Sequence, residues 1–159
     1  MEISIRAAAA DDTQIVCAFI RELAEYERLE QECVATPEAL RATLFAPAPR
    51  VFCDIADVAG SPAGFALWFY SYSTFQAKHG IYLEDLYVRP GFRGVGIGKA
   101  LLVHLAKRAA TEDCGRFEWS VLDWNAPSIA FYETLGAKAV AGWTRYRLDG
   151  QALTALAHS

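Results

Sequence analysis

The chain has 159 residues, 53% of them hydrophobic, and a formal net charge of −4. This length corresponds to about one domain, and the apolar content is sufficient for a packed core, which excludes a disordered chain. The acidic balance lacks the basic surface typical of nucleic-acid-binding proteins, so we expect no nucleic-acid partner. The longest apolar run, residues 65–70, is far too short to span a bilayer, so we expect no membrane partner.

The cysteine and histidine residues indicate neither a disulfide framework nor a metal site. They form no C-x-x-C pair and no cluster with zinc-ligand spacing; they are Cys17, Cys33, Cys53, Cys114, His79, His104 and His158. Reduced thiols are typical of the cytosol, and residues 1–6 alternate in polarity rather than forming the apolar core of a signal peptide. We therefore expect a cytoplasmic protein that needs no metal.

The first half of the chain predicts a strand, two helices and a hairpin. Alternating polarity predicts a strand over residues 2–6, and apolar residues at helical spacing predict a helix over 11–28. Thr36 followed by Pro37 is a helix start signal, which predicts a short second helix. Two β-rich segments flanking a Gly-Ser-Pro turn predict an antiparallel hairpin, with strands over 51–58 and 63–72.

The second half alternates strands with helices. The predicted elements are a strand over 80–88, a helix over 96–111, a strand over 117–122, a helix from Asn125 to Leu135, a strand over 138–148 and room for a short strand near 152–156. Only the segment from 80 to 122 requires a parallel crossover. The order therefore predicts an α/β fold, with a mixed, mostly antiparallel sheet, helices on both faces and a single domain over residues 1–159.

A glycine-rich turn joins the strand at 80–88 to the helix that follows. Gly94, Gly96 and Gly98 allow tight backbone conformations and close approach of a ligand, and their N–H groups meet at a helix N-terminus, which favours an anion. Arg93 adds donors suited to phosphate. The turn is neither a P-loop nor a dinucleotide-binding fingerprint, because both motifs need glycines at other positions. A helix start that binds no ligand remains the alternative.

Two segments resemble the GNAT superfamily of N-acetyltransferases. The Arg-Gly-x-Gly-Ile-Gly turn after Leu86-Tyr87-Val88 is similar to its motif A, and residues 124–132 are similar to its motif B. More narrowly, residues 22–27, 82–88, 135–137 and the Gly142-Trp143 pair resemble the spermidine/spermine (diamine) N-acetyltransferase subfamily. The similarity extends over nearly the whole chain.

The resemblance implies a GNAT acyl-CoA acyltransferase fold, in which acetyl-CoA lies between two central parallel strands that splay apart. Here those strands would be 80–88 and 116–122. The residues implied in binding acetyl-CoA are Leu86, Tyr87, Val88, Arg93, Gly94, Val95, Gly96, Ile97, Gly98, Lys99, Asn125 and Ser128. It also implies a homodimer, and no metal cofactor.

Acetyl transfer to an amine needs a neutral amine, a stabilised oxyanion and a protonated leaving thiolate. Tyr132 is the first candidate for the acid, because a tyrosine hydroxyl stays protonated at neutral pH. Glu84 is the candidate for accepting the amine's proton, directly or through water. Its neighbour Asp85 would face the other way in a regular strand, although a bulge could change that alternation. A backbone N–H near Leu86 is expected to meet the oxyanion.

The residues implied in binding the amine carry negative charge or an aromatic face. They are Tyr26, Glu27, Glu84, Asp85, Glu118, Trp119 and Ser120. Such groups attract ammonium ions, and the resemblance predicts acetylation of a small polyamine or diamine. The subfamily's acidic residues before its Gly-Trp pair are absent here, where Val140-Ala141 precede Gly142. Thialysine, another amino-acid-like amine or an aminoglycoside is therefore the alternative acceptor.

Two further classes remain alternatives. A non-catalytic acyl-CoA-binding module would keep the glycine turn but would need neither Tyr132 nor Glu84. A protein acetyltransferase ranks lower, because no peptide-binding extension is recognisable in the chain.

Overall fold

A computed structural model describes all 159 residues and divides them into two compact units, Met1–Leu122 and Asp123–Ser159. The elements of the first unit are β1 (Ile3–Ala7), α1 (Thr13–Tyr26), α2 (Pro37–Leu44), β2 (Phe52–Val58), β3 (Ser61–Ser73), β4 (Lys78–Val88), α3 (Ile97–Thr111) and β5 (Phe117–Trp119). The second unit contains α4 (Ala126–Thr134) and α5 (Gly150–Ala157). A single domain over 1–159 stays a prediction.

The five strands form one sheet in the order β1-β2-β3-β4-β5. The first three pairings are antiparallel, whereas β4 and β5 are parallel. The connection between β4 and β5 contains α3, as a parallel crossover requires. The predicted mixed, mostly antiparallel sheet is therefore confirmed.

Helices cover both faces of this sheet. Ile55 and Leu67 belong to a buried cluster with residues of α1 and α2, which also contains Val16, Phe19, Leu23, Leu44, Cys53, Phe65 and Tyr87. The next residue of β3, Trp68, lies under the guanidinium of Arg108 on α3, 5.2 Å from its ring centroid. Because neighbouring side chains of a strand point to opposite faces, α1 and α3 lie on opposite sides of the sheet.

The close approach of β3 to β4 depends on Gly64. It pairs with Val88, and a Cβ at Gly64 would lie 2.5 Å from the carbonyl oxygen of Tyr87. Real Cβ atoms do not approach a backbone oxygen so closely, so any larger residue would push the two strands apart. Glycine at this position therefore fixes the end of β4 where the glycine-rich turn begins.

The C-terminal predictions are wrong in two places. Residues 138–148 form no strand, and Gly150–Ala157 is a helix where a short strand was expected. The apolar alternation of 138–148 favours extended backbone, but a strand also needs a partner edge for its hydrogen bonds. Residues 150–157 are rich in Ala and Leu, which are strong helix formers.

No helix in the structure combines the length and apolar composition that crossing a membrane requires.

Candidate active site

The parallel strands β4 and β5 pair over only three residues. Ile81, Tyr82 and Leu83 of β4 face Phe117, Glu118 and Trp119 of β5, and the pairing stops there. β4 continues to Val88 and remains paired with β3 along that length. One edge of β4 is thus open beyond Leu83, which is the splayed arrangement that the family resemblance implied.

The backbone of β4 presents alternate residues to this open edge. The N–H of Arg89 donates to the carbonyl of Ala63 on β3, 2.9 Å away. By strand alternation the backbone groups of Tyr87 also face β3, while those of Leu86 and Val88 face the opening. An extended ligand arm added at this edge would reach the backbone groups of Leu86 and Val88. The contact of the Leu86 N–H with the oxyanion stays a prediction.

The glycine-rich turn has the conformation of an anion cradle. Gly94 and Gly96 have φ angles of +81° and +90°, which L-residues with a side chain rarely adopt. A Cβ at either position would meet no atom within 4 Å, so the space beside the turn is open. α3 starts at Ile97, directly after Gly96, and its first N–H groups have no intrahelical partner. These donors fit the diphosphate of coenzyme A.

The side chain of Arg93 contacts the protein itself. Its Nε donates to the carbonyl of Val88 at 2.7 Å, and its guanidinium lies 5.2 Å from the ring centroid of Tyr26 and 5.5 Å from that of Tyr87. The backbone donors of the turn are therefore the better-placed anion ligands. A phosphate contact from the Arg93 side chain stays a prediction.

A β-bulge lies at Glu84. Leu67 of β3 pairs with Asp85 and the next residue, Trp68, pairs with Leu83, so Glu84 has no partner on β3. A bulge interrupts regular alternation, which removes the reason for placing Glu84 and Asp85 on opposite faces. The sequence allowed such a bulge, and the structure contains it.

Three carboxylates interact beside this bulge. Burial, then the charges of Glu84 and Glu27, raise the pKa of Asp85 to about 7. Burial and the charge of Glu84 also raise the pKa of Glu27, which follows α1. A group of carboxylates that repel one another gains from a bound cation, so this group, Glu27, Glu84 and Asp85, is suited to an ammonium ion. We call these three residues the acidic cluster.

The other predicted amine-binding residues lie outside the acidic cluster. Glu118 lines a shallow polar depression at the start of β4, together with Lys78, His79 and Arg116. Ser120 Oγ lies 2.8 Å from the hydroxyl of Tyr82, and Trp119 packs edge-on against Phe117. Their assignment to the amine stays a prediction.

The predicted residues of the second unit lie at the start and along one side of α4. Asn125 caps the helix, because its Oδ1 accepts the backbone N–H of Ser128 at 3.4 Å. Ser128 and Tyr132 are four residues apart and so share one side of α4. The ring of Tyr132 lies 5.6 Å from that of Phe131. Their roles in donor binding and acid catalysis stay predictions.

Sequence reasoning missed Arg89, which follows β4 directly. Its guanidinium makes three contacts of 2.8–3.2 Å with the carboxylate of Glu22 and lies 4.7 Å from the ring centroid of Phe19. No local pattern could reveal this ion pair, because the two residues are 67 positions apart. It is a consequence of tertiary packing alone.

Comparison with known proteins agrees with this geometry. The family model described as "Acetyltransferase (GNAT) family" matches residues 16–137. The chain is 37% identical to the thialysine N-epsilon-acetyltransferase of Sus scrofa, covering 98% of this chain and 97% of that protein. It is 32% identical to the L-ornithine N5-acetyltransferase of Arabidopsis thaliana, covering 96% and 86% of the two chains.

A human relative carries the name of the subfamily that the sequence resembles. The chain is 31% identical to the spermidine/spermine N(1)-acetyltransferase-like protein 1 of Homo sapiens, covering 96% of this chain and 23% of that protein. The glycine-rich turn, the open edge of β4 and these similarities lead to one conclusion: the chain belongs to the acetyltransferase (GNAT) family.

Proposed function

We propose that the protein transfers the acetyl group of acetyl-CoA to the side-chain amine of a small amino acid such as thialysine, lysine or ornithine. The observation that carries this proposal is the similarity, over almost the whole of both chains, to an enzyme named for thialysine. The ornithine acetyltransferase of Arabidopsis thaliana supports the same class of acceptor. Each of these acceptors carries a primary amine on a short chain, which suits the compact acidic cluster.

In this proposal the reaction divides into three tasks, and the role of Tyr132 comes from the family resemblance alone. The acidic cluster binds the acceptor ammonium and takes its proton. The neutral amine then attacks the thioester carbon, and the N–H of Leu86 stabilises the oxyanion. As the carbon–sulfur bond breaks, the hydroxyl of Tyr132 protonates the leaving thiolate, and the second proton lost by the acetylated nitrogen restores this hydroxyl.

Asp85 is the member of the acidic cluster best suited to accept the proton. Its pKa of about 7 matches the pH at which a base can both be ionised and hold a proton. Glu84, at the bulge beside it, either relays the proton or holds the second charge of the acceptor.

The homodimer and the cytoplasmic location stay predictions. Apolar side chains exposed after α4, such as Trp143 and Tyr146, would suit a protein interface.

Comparing acceptors tests the proposal. We expect kcat/KM, measured by release of the coenzyme A thiol, to be at least about tenfold higher for thialysine, lysine or ornithine than for putrescine, spermidine or spermine, since groups around an α-carbon add contacts that a plain diamine lacks. The second candidate is a diamine acceptor, favoured by the human spermidine/spermine-like relative. A higher kcat/KM for spermidine than for every amino acid tested would show that the acceptor is a polyamine. Tight acetyl-CoA binding without transfer to any amine would indicate a non-catalytic module.

The pH dependence of the reaction tests the role of Asp85. A carboxylic acid accepts a proton only when ionised, so kcat/KM of the unmodified protein should rise with pH through about 7 and then level off. In Asp85→Asn we expect this rise to disappear and kcat/KM at pH 8 to fall by about 100-fold, a typical general-base loss. Glu84→Gln removes one cause of the raised pKa of Asp85 but leaves that carboxyl in place, so the rise should move to lower pH instead of disappearing. A rise near pH 7 that survives in Asp85→Asn would assign the base elsewhere.

A further inference from the structure

Two arginines in the turn between β4 and α3, Arg89 at its start and Arg93 near its middle, both reach across to α1. Arg89 pairs with Glu22, and both side chains are about one-third exposed. The guanidinium of Arg93 lies over the ring of Tyr26, 5.2 Å from its centroid. The first half of this turn, from Arg89 to Arg93, is thus attached to α1 at two points.

The residues of α1 that the two arginines contact lie on one side of the helix. Phe19, Glu22 and Tyr26 are three and four residues apart, which places them on one side of the helix. Arg89 contacts Phe19 and Glu22, and Arg93 contacts Tyr26 one turn further along. We call this set of five residues the arginine clamp.

The last turn of α1 connects the clamp to the acidic cluster. Tyr26 is the last residue of α1, and Glu27, its neighbour, is close enough to Asp85 to raise the pKa of that carboxyl. The amides of Glu27, Arg28 and Leu29 donate to carbonyls of residues 23–25 at 2.9–3.0 Å. These hydrogen bonds close the end of the helix, where fraying is expected unless tertiary contacts hold it.

We propose that the arginine clamp couples donor binding to the acceptor site: coenzyme A bound in the turn orders the C-terminal end of α1 through Arg93 and Tyr26, and so positions Glu27 within the acidic cluster. The side chain of Arg93 folds back onto the end of β4, because its Nε donates to the carbonyl of Val88, the last residue of that strand. A turn made rigid by a diphosphate offers Tyr26 a fixed surface. Arg93 and Tyr26 are then positioning residues that act through Glu27. The inference rests on acetyl-CoA being the donor and on the acidic cluster being the acceptor site.

Hydrogen exchange at the end of α1 tests the coupling without any acceptor. Exchange of the amides of Glu27, Arg28 and Leu29 is measured with and without saturating coenzyme A, with saturation set by calorimetry for each protein. In the unmodified protein we expect coenzyme A to slow their exchange by about fivefold or more, the usual lower range of coupling between two sites. In Tyr26→Leu and in Arg93→Leu we expect a change of less than about twofold.

Two matched controls separate the clamp from general effects. Tyr26→Phe keeps the aromatic face that Arg93 contacts and should keep the full effect of coenzyme A. Arg41→Leu removes an exposed arginine of α2 and should also behave as the unmodified protein. Because Tyr26→Leu leaves the turn itself intact, a loss of coupling there cannot come from a lost phosphate contact.

Each outcome has one meaning. Equal slowing of exchange in Tyr26→Leu and the unmodified protein would overturn the coupling, as would bound coenzyme A that protects the turn but not the end of α1. Lost coupling in Tyr26→Leu, with no amine acetylated by any variant, would uphold the clamp and overturn the proposed acceptor. Absence of coenzyme A binding by the unmodified protein would overturn the donor assignment and the coupling with it.

Discussion

Replacing Tyr132 by Phe is expected to lower kcat by about 100-fold or more, the usual size of a general-acid contribution. The substitution removes only the hydroxyl and keeps the ring that packs beside Phe131 on α4. The Kd for acetyl-CoA should therefore change by less than about twofold, because a proton donated to the leaving thiolate contributes in the transition state and not in the ground state. Steady-state kinetics and calorimetry measure the two quantities.

Tyr72→Phe is the control for this experiment. It also removes a hydroxyl from a tyrosine, at an exposed position near the end of β3, and should leave kcat unchanged. If the leaving thiolate does not need protonation, the kcat of Tyr132→Phe will be close to that of the unmodified protein. That result would remove Tyr132 from the acid role without affecting the family assignment.

Gly96→Ala is expected to weaken acetyl-CoA binding by about tenfold or more, since misdirecting even one donor to a charged group costs about 1.5–3 kcal/mol. Gly96 has a φ of +90° directly before the first residue of α3. An alanine held in left-handed backbone costs about 1–2 kcal/mol. Relaxation of that strain would rotate the peptide groups that direct the first donors of α3 into the cradle. Calorimetric titration with coenzyme A measures the effect.

Gly60→Ala separates strain from binding. Gly60 also has a positive φ, +78°, with no atom within 4 Å of a Cβ, but it lies in the turn between β2 and β3. Both substitutions should lower the free energy of unfolding by a similar amount, about 1–2 kcal/mol, whereas only Gly96→Ala should weaken coenzyme A binding. Equal affinities for the two variants would mean that the cradle lies elsewhere.

The acceptor is where the sequence-based interpretation and the comparisons diverge. The resemblance to diamine acetyltransferases predicted a polyamine, although Val140 and Ala141 replace the acidic residues expected before Gly142. Two relatives that match nearly the whole chain are named for thialysine and ornithine instead. The missing carboxylates are compatible with this, because a short amino acid has no distant ammonium for them to bind.

Local pattern predicted most elements of the sheet but not the extent of β5. Apolar residues over 117–122 favour extended backbone throughout, yet only Phe117–Trp119 pairs with β4. Where two strands diverge depends on what packs between and beneath them, and periodicity carries no such information. The same limit explains the wrong strand over 138–148, since pairing requires a partner edge that no local pattern specifies.

By itself, the sequence determined the family and most elements of the first unit. The tight turn depends only on local backbone geometry, so the unusual conformations of Gly94 and Gly96 could be predicted before their φ angles were known. The binding of an anion there stays a prediction. The family resemblance had grouped Glu27 with Asp85 and with Glu118, and the tertiary structure decided that Glu27 lies near Asp85 whereas Glu118 lies apart. It also decided that Glu84 lies at a bulge and that Arg93 contacts Tyr26. The physical reason is distance along the chain: α1 and β4 are more than 50 residues apart, and contacts across such a separation arise from packing on a shared sheet face, which no local periodicity encodes.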